Sequence, residues 1–244
     1  MINKYICDCK KYDFSKKDYT YWEDRKTTTD EIDVINFIKE NFDLKNKYLL
    51  HLGIGNSEIA TRFTETKKIV GITISNRELQ KAKNLNLNNY ELNLCDKYST
   101  NFYELVKNTK FDLIIDTNLK SYSCCQRSFK FFMNNLASIL NLNGIIFTSK
   151  KGMNWYKKLI PKLSFDIKNF FFFKLKEIEG NKENIFSEQD INLFIKQHHF
   201  TFYTEDKICY FKKKNYININ IYKKYEKKNC FNYRYNRTRW FLSC

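Results

Sequence analysis

The stretch LLHLGIGNSEIATRF at residues 49–63 constrains the chain more than any other. A short apolar run, Tyr48 to Leu52, stops at Gly53 and passes through Gly53-x-Gly55 into a helical pattern carrying Ile59, Ala60 and Phe63. A run so short and so apolar reads as a strand covered on both faces, in a parallel sheet layered between helices. Glycine at the turn lets backbone approach a ligand where a side chain would collide. The helix start beyond it offers N–H groups and a positive dipole end to an anion. Glu58 stands where the dinucleotide fingerprint has its third glycine, and no Gly-Lys-Ser or Gly-Lys-Thr follows. The expected anionic group is therefore a carboxylate rather than a pyrophosphate.

The same alternation runs on along the chain. Thr28-x-x-Glu31 is a capping-box start for a helix with Ile35, Ile38 and Phe42 at helical spacing. A second strand at 68–74, a helix with Leu79, Ala82 and Leu85, a third strand near 90–94 and a fourth, FDLIID, at 111–116 follow. Residues 127–140 set Phe129, Phe132, Met133, Leu136, Ile139 and Leu140 on one helical stripe. Asn143-Gly144 is expected to end that helix, and 145–148 to form a fifth strand. Ser187-x-x-Asp190 then starts a helix with Ile191, Phe194 and Ile195 inward, before β-rich pieces near 200–204 and 207–212. The pattern predicts an α/β fold, a doubly wound, mostly parallel seven-stranded sheet with helices on both faces. The expected organisation is an N-terminal arm at 1–27, one domain at 28–212 and a basic, aromatic extension at 213–244.

Composition bounds the partners. Net charge is +16, which would point to a polyanion. Abundant Lys, Asn, Ile, Phe and Tyr beside one Pro and only Ala60, Ala82 and Ala137 match A+T-rich coding, so part of the lysine content is a codon effect. Nucleic acid is the lesser expectation, held through the tail IYKKYEKKNCFNYRYNRTRW as a backbone-tracking surface. The eight cysteines show no CxxC repeat or ligand-like spacing, so no metal is expected and a reducing cytoplasm is. No apolar stretch has signal-peptide length, and Phe170 to Phe173 is far too short to span a bilayer.

On these residues the sequence resembles the class I S-adenosylmethionine-dependent methyltransferases, over roughly 30–150 with a continuation to 212. The resemblance implies a Rossmann-like fold, S-adenosylmethionine as cofactor and methyl transfer as the reaction. It implies that Gly53, Gly55, Asn56 and Ser57 surround the methionine part of the cofactor, with His51 in the strand behind them. The second strand, VGITISNRELQKAK, resembles the GITLS variant of the cyclopropane fatty acid synthase and sterol methyltransferase branches. There Thr73, Ile74 and Ser75 close the strand, and Glu78, in the place of a Gln, accepts from both ribose hydroxyls. Asp96 falls where the family holds the adenine amino group, with Cys95 against the base. Asp116, at the end of the fourth strand, points toward the methionine portion and the acceptor and is the candidate proton acceptor, ahead of His51.

Methyl transfer is an in-line displacement, for which alignment and exclusion of water matter most. The N/D-P-P-Y/W loop of adenine-amino methyltransferases is absent after Asp116. SCCQRS at 123–128 lacks the proline of the cytosine-carbon enzymes, so Cys125 is not expected as a nucleophile. No HxD or HxH pair suggests a divalent metal. The expected acceptor is a small molecule or biosynthetic intermediate, at oxygen, nitrogen or carbon, with Tyr19, Tyr21, Trp22 and Arg25 of the arm as pocket lining. A catalytically silent binding partner built on the same fold is the reading from a different class.

Overall fold

A computed structural model describes residues 5–7, 26–120, 123–153, 158–162, 174–178, 187–205 and 207–214. The expected arm residues Tyr19, Tyr21, Trp22 and Arg25, the run Phe170 to Phe173 and the tail at 221–240 lie outside them. The chain divides into two compact units, Met1–Lys213 and Lys214–Cys244, and every described helix and strand belongs to the first.

Helix α1 (Thr29–Asn41) precedes strand β1 (Tyr48–Leu52), and α2 (Glu58–Arg62) leads to β2 (Lys68–Thr73). Then come α3 (Asn76–Lys83), β3 (Tyr90–Leu94), α4 (Thr100–Val106), β4 (Phe111–Ile115) and α5 (Gln126–Ile139). Strand β5 (Leu140–Ser149) is followed by a separate antiparallel pair, β6 (Lys158–Lys162) with β7 (Lys174–Ile178). Helix α6 (Glu188–His198), β8 (Phe200–Glu205) and β9 (Ile208–Lys213) complete the unit. The main sheet has seven strands in the order β3-β2-β1-β4-β5-β9-β8. The pairs from β3 to β5 are parallel, while β9 runs antiparallel to both β5 and β8. Among the described residues no helix is long and apolar enough to cross a membrane.

Side chains alternate across each strand, and both faces are covered. Leu50, Leu52, Ile114 and Ile146 face a core built with Phe102, Phe129, Phe132, Leu136 and Phe194, from α4, α5 and α6. Leu49, Leu113, Ile115, Ile145 and Phe147 face the other way, onto Val34, Ile35 and Ile38 of α1 and Ile59 and Ala60 of α2. This is why β1 and β4 read as continuous apolar strings rather than alternating ones. Helix starts follow the side-chain logic of the sequence: Thr28, Ser75, Ser99 and Ser187 each accept the N–H three residues on.

One expected boundary differs. Asn143-Gly144 does not end α5, which stops at Ile139 and runs straight into β5. The carbonyls at the end of α5 are held instead by lysines from elsewhere, Lys213 on Ala137 and Leu140 and Lys110 on Ser138, with cations at the negative end of the dipole. Asn143-Gly144 belongs to a bulge within β5, where the register against β4 jumps from Phe111↔Leu140 to Leu113↔Ile145. Asn143 takes the left-handed conformation at φ 61°. Gly144 is there for space, since a Cβ would lie 2.8 Å from Leu140 Cγ and 2.9 Å from the Asn141 carbonyl. Leu85, expected on the inner face of α3, lies past its end and is exposed.

The aromatic packing predicts a measurable cost. Phe132 is fully buried between Tyr98 and Phe102, so Phe132→Ala is expected to destabilise the fold by about 3–5 kcal/mol in urea unfolding.

Candidate functional site

Strand order reverses beside β1, whose neighbours β2 and β4 lead away in opposite directions, and a crevice opens there at the carboxyl edge. It holds a cavity of about 130 Å3 with walls from four successive strand ends. Gly53 and Gly55 follow β1, Thr73 ends β2 with Ile74, Ser75 and Glu78 beyond it, Cys95, Asp96, Lys97 and Tyr98 follow β3, and Asp116 and Asn118 follow β4. Gly53 and Gly55 both have positive φ, 73° and 50°, and a Cβ on either would meet no protein atom within 4 Å. Their bare faces look into open space, which a ligand can fill without a clash.

The polar walls are braced from behind. Thr73 donates its hydroxyl to Glu78 Oε2 at 2.5 Å and accepts from the Ser75 N–H, while Ser75 caps α3 by accepting from the Glu78 N–H. Glu78 therefore sits in the first turn of a helix, 6% exposed, where the dipole favours its negative charge. Asp96 accepts from the Tyr98 N–H on Oδ1 and from the Tyr5 hydroxyl on Oδ2. Cys95 is buried beside it, and burial pushes its thiol pKa up, the mark of a packing thiol rather than a nucleophile. Asp116 is 1% exposed and forms an ion pair with Lys97 at 2.6 Å, while its Oδ1 accepts from the Asn118 N–H. Lys97 also donates to the Asn118 carbonyl and lies over the Tyr98 and Phe132 rings.

Asn56 lines a second cavity of about 100 Å3 across the glycine loop, together with Lys26, Asp30, Glu31 and Lys151. The two cavities share Gly53, Gly55 and Asn118. Asn56 donates to the Thr27 hydroxyl and accepts from the Glu58 N–H. His51 and Ser57 line neither cavity. Ser57 is buried in the left-handed conformation against the Tyr90 hydroxyl. His51 lies within β1, 2% exposed, with Nδ1 unpartnered, and burial pushes its pKa down to about 3.

Sequence reasoning missed Tyr5, Lys97, Tyr98 and Asn118. Lys97 and Tyr98 directly follow Asp96, and Asn118 follows Asp116 by two, so carrying each strand end two residues further would have found them. Nothing local marks Tyr5.

This architecture, a seven-stranded mostly parallel sheet with its cavity at the switch in strand order, is a Rossmann-like α/β fold of the kind seen in solved methyltransferase structures. No family model matches the chain, and no curated protein matches its sequence. Among solved structures, N-methyltransferase NodS from Bradyrhizobium japonicum WM9, in complex with S-adenosyl-L-homocysteine, is similar over 82% of this chain and 94% of that one, at 10% identity and a TM-score of 0.51. A second NodS structure is similar over 76% and 97%, at 10% identity and a TM-score of 0.50. An S-adenosylmethionine-dependent methyltransferase from Clostridium acetobutylicum ATCC 824 is similar over 82% and 94%, at 16% identity and a TM-score of 0.47.

The buried His51 fixes a pH dependence. Its folded-state pKa lies below the ordinary 6.5, so between these values the unfolded chain binds a proton that the folded chain refuses. His51's contribution is fully present above about pH 6.5 and is lost as pH falls toward 3. The share due to His51 is on the order of 2 kcal/mol by pH 5. Urea midpoints measured from pH 7 to 5 should fall less steeply for His51→Leu than for the unsubstituted protein.

Proposed function

We propose that this chain binds S-adenosylmethionine along the two joined cavities and transfers its methyl group to a small molecule or biosynthetic intermediate. The observation that carries the reading is the convergence of Glu78, Asp96 and Asp116, from three successive strand ends, on one cavity floored by two open-faced glycines. The donor set suits the cofactor part by part. Glu78 is an acceptor for the ribose hydroxyls, with Thr73 and Ser75 holding it in place. Asp96 is an acceptor for the adenine amino group, which would share or displace the Tyr5 hydroxyl on Oδ2, and Ile72, Ile74, Cys95 and Tyr98 supply walls for the base. The second cavity carries both signs of charge, Lys26 and Lys151 beside Asp30 and Glu31. That mixture matches the ammonium and carboxylate of a methionyl end, with Asn56 and the glycine loop next to it. The likeness in fold to NodS, whose structure holds S-adenosyl-L-homocysteine, supports the same cofactor.

When bound, the cofactor supplies an electrophilic methyl carbon on sulfur. Asp116 orients the attacking atom and takes its proton in this reading. Lys97 and the Asn118 N–H hold that carboxylate in one position. Rate therefore depends mainly on alignment, which suits an acceptor that is already a good nucleophile. Tyr5 at Asp96 supports a covering role for the N-terminal arm. The net charge of +16 keeps RNA or DNA as the alternative acceptor.

Calorimetric titration with S-adenosylmethionine and S-adenosylhomocysteine is expected to give low-micromolar binding, about −8 kcal/mol. Gly55→Arg should abolish it by filling the open face, and Asp96→Ala should weaken it about tenfold. Absence of binding to the unsubstituted protein would remove the enzyme reading and leave the fold as a partner surface. Labelled methyl should then appear in a small-molecule extract; appearance only in RNA or DNA, with steep salt dependence, would move the acceptor to the alternative class.

A further inference from the structure

The cysteines carry a feature that their spacing conceals. Cys7, Cys124 and Cys125 place their sulfurs within 4.8 Å of one another, although Cys7 and Cys124 lie 117 residues apart in sequence. Cys7 is buried and the other two are half-buried. Cys7 Sγ is 3.1 Å from Cys124 Sγ, and Cys124 Sγ is 3.9 Å from Cys125 Sγ. We propose that these three thiols form a binding site for one Zn2+ ion, which fastens the segment containing Tyr5 and Cys7 to the start of α5.

The spacing fits. Bonds of about 2.3 Å at tetrahedral angles set sulfurs about 3.8 Å apart. The Cys124–Cys125 separation already matches, Cys7 and Cys124 need to open by roughly 0.7 Å, and Cys7 and Cys125, within 4.8 Å of each other, need to close by no more than about 1 Å. A disulfide between Cys7 and Cys124 would instead have to close by about 1 Å, to ~2.05 Å, and would leave the third sulfur without a role. Cys125 is the N-cap of α5, a helix of 14 residues, and its Sγ accepts the Ser128 N–H at 3.5 Å. An N–H donated to a ligating atom orients that ligand. The chemistry is selective as well, because three thiolates suit a borderline-soft ion better than Mg2+ or Ca2+. On binding, three S–H bonds break, three Zn–S bonds form and three protons pass to solvent. A water completes the four-coordinate shell. The clasp fixes Tyr5 two residues from a ligand, which holds its hydroxyl on Asp96.

The test uses the full chain, reduced and freed of metal with a chelator, then titrated with Co2+ and with Zn2+. Thiolate-to-cobalt absorption should grow to one equivalent per chain and vanish when Zn2+ is added. Cys7→Ser, Cys124→Ser and Cys125→Ser should each lower affinity by at least about a hundredfold, the upper end of what losing an outer partner alone costs. Cys209→Ser should leave it unchanged. Because a variant can fail through misfolding, alkylation of the unsubstituted protein is mapped by mass spectrometry with and without Zn2+. Protection of Cys7, Cys124 and Cys125 by at least about tenfold supports the site. Protection of Cys9, Cys230 or Cys244 instead, no thiolate absorption, or a Cys7–Cys124 disulfide that persists under reducing conditions would each overturn it. None of these readouts depends on cofactor binding.

Discussion

Burial of β1 and β4 on both faces is the constraint on which the rest of the molecule depends. Two apolar layers must be supplied, and they come from helices that return the chain to the same sheet edge each time. Each return puts a strand's carboxyl end, and the loop after it, on one rim. Glu78, Asp96 and Asp116 sit far apart in sequence and close together in space for that reason alone. The sheet accordingly determines which residues can become a site before any of them is chosen for chemistry.

Electrostatics then separates the ion pair that shapes the site from those that decorate the surface. Arg62–Glu58 and Lys107–Glu104 are exposed helix pairs, which solvent and salt screen. Lys97–Asp116 is different: the carboxylate is 1% and the lysine side chain 14% exposed. Removing either partner would strand a desolvated charge. In a chain of net charge +16, the acidic groups gathered on this rim hold a local balance opposite to that of the whole.

What could be read from sequence divides along the line between local and distant causes. Strands β1, β2 and β4 were legible because two-sided burial writes itself as a continuous apolar string, and the starts of α1 and α6 because caps lie within three residues of their targets, whereas α4, capped by Ser99, was not foreseen. Thr73, Glu78, Cys95, Asp96 and Asp116 fall on the cavity wall because strand ends define the rim. Asn143-Gly144 misled because the end of α5 is capped by Lys213, some seventy residues away, which frees the Asn-Gly pair to make a bulge. Tyr5 on Asp96 and the meeting of Cys7 with Cys124 are likewise long-range, and no periodicity records them.

The antiparallel end of the sheet has a bearing on how the chain is made. Strand β9 lies between β5 and β8 and pairs Ile145 with Lys212 and Ser149 with Ile208. Until that pairing forms, β5 presents a bare ladder edge bearing Ile146 and Phe147. At ribosomal speeds of about 5–20 residues per second, the interval between them takes roughly 3–12 seconds to synthesise. For those seconds the nascent chain carries the template for mispairing with its neighbours on a polysome, and the arrival of β9 is what removes it.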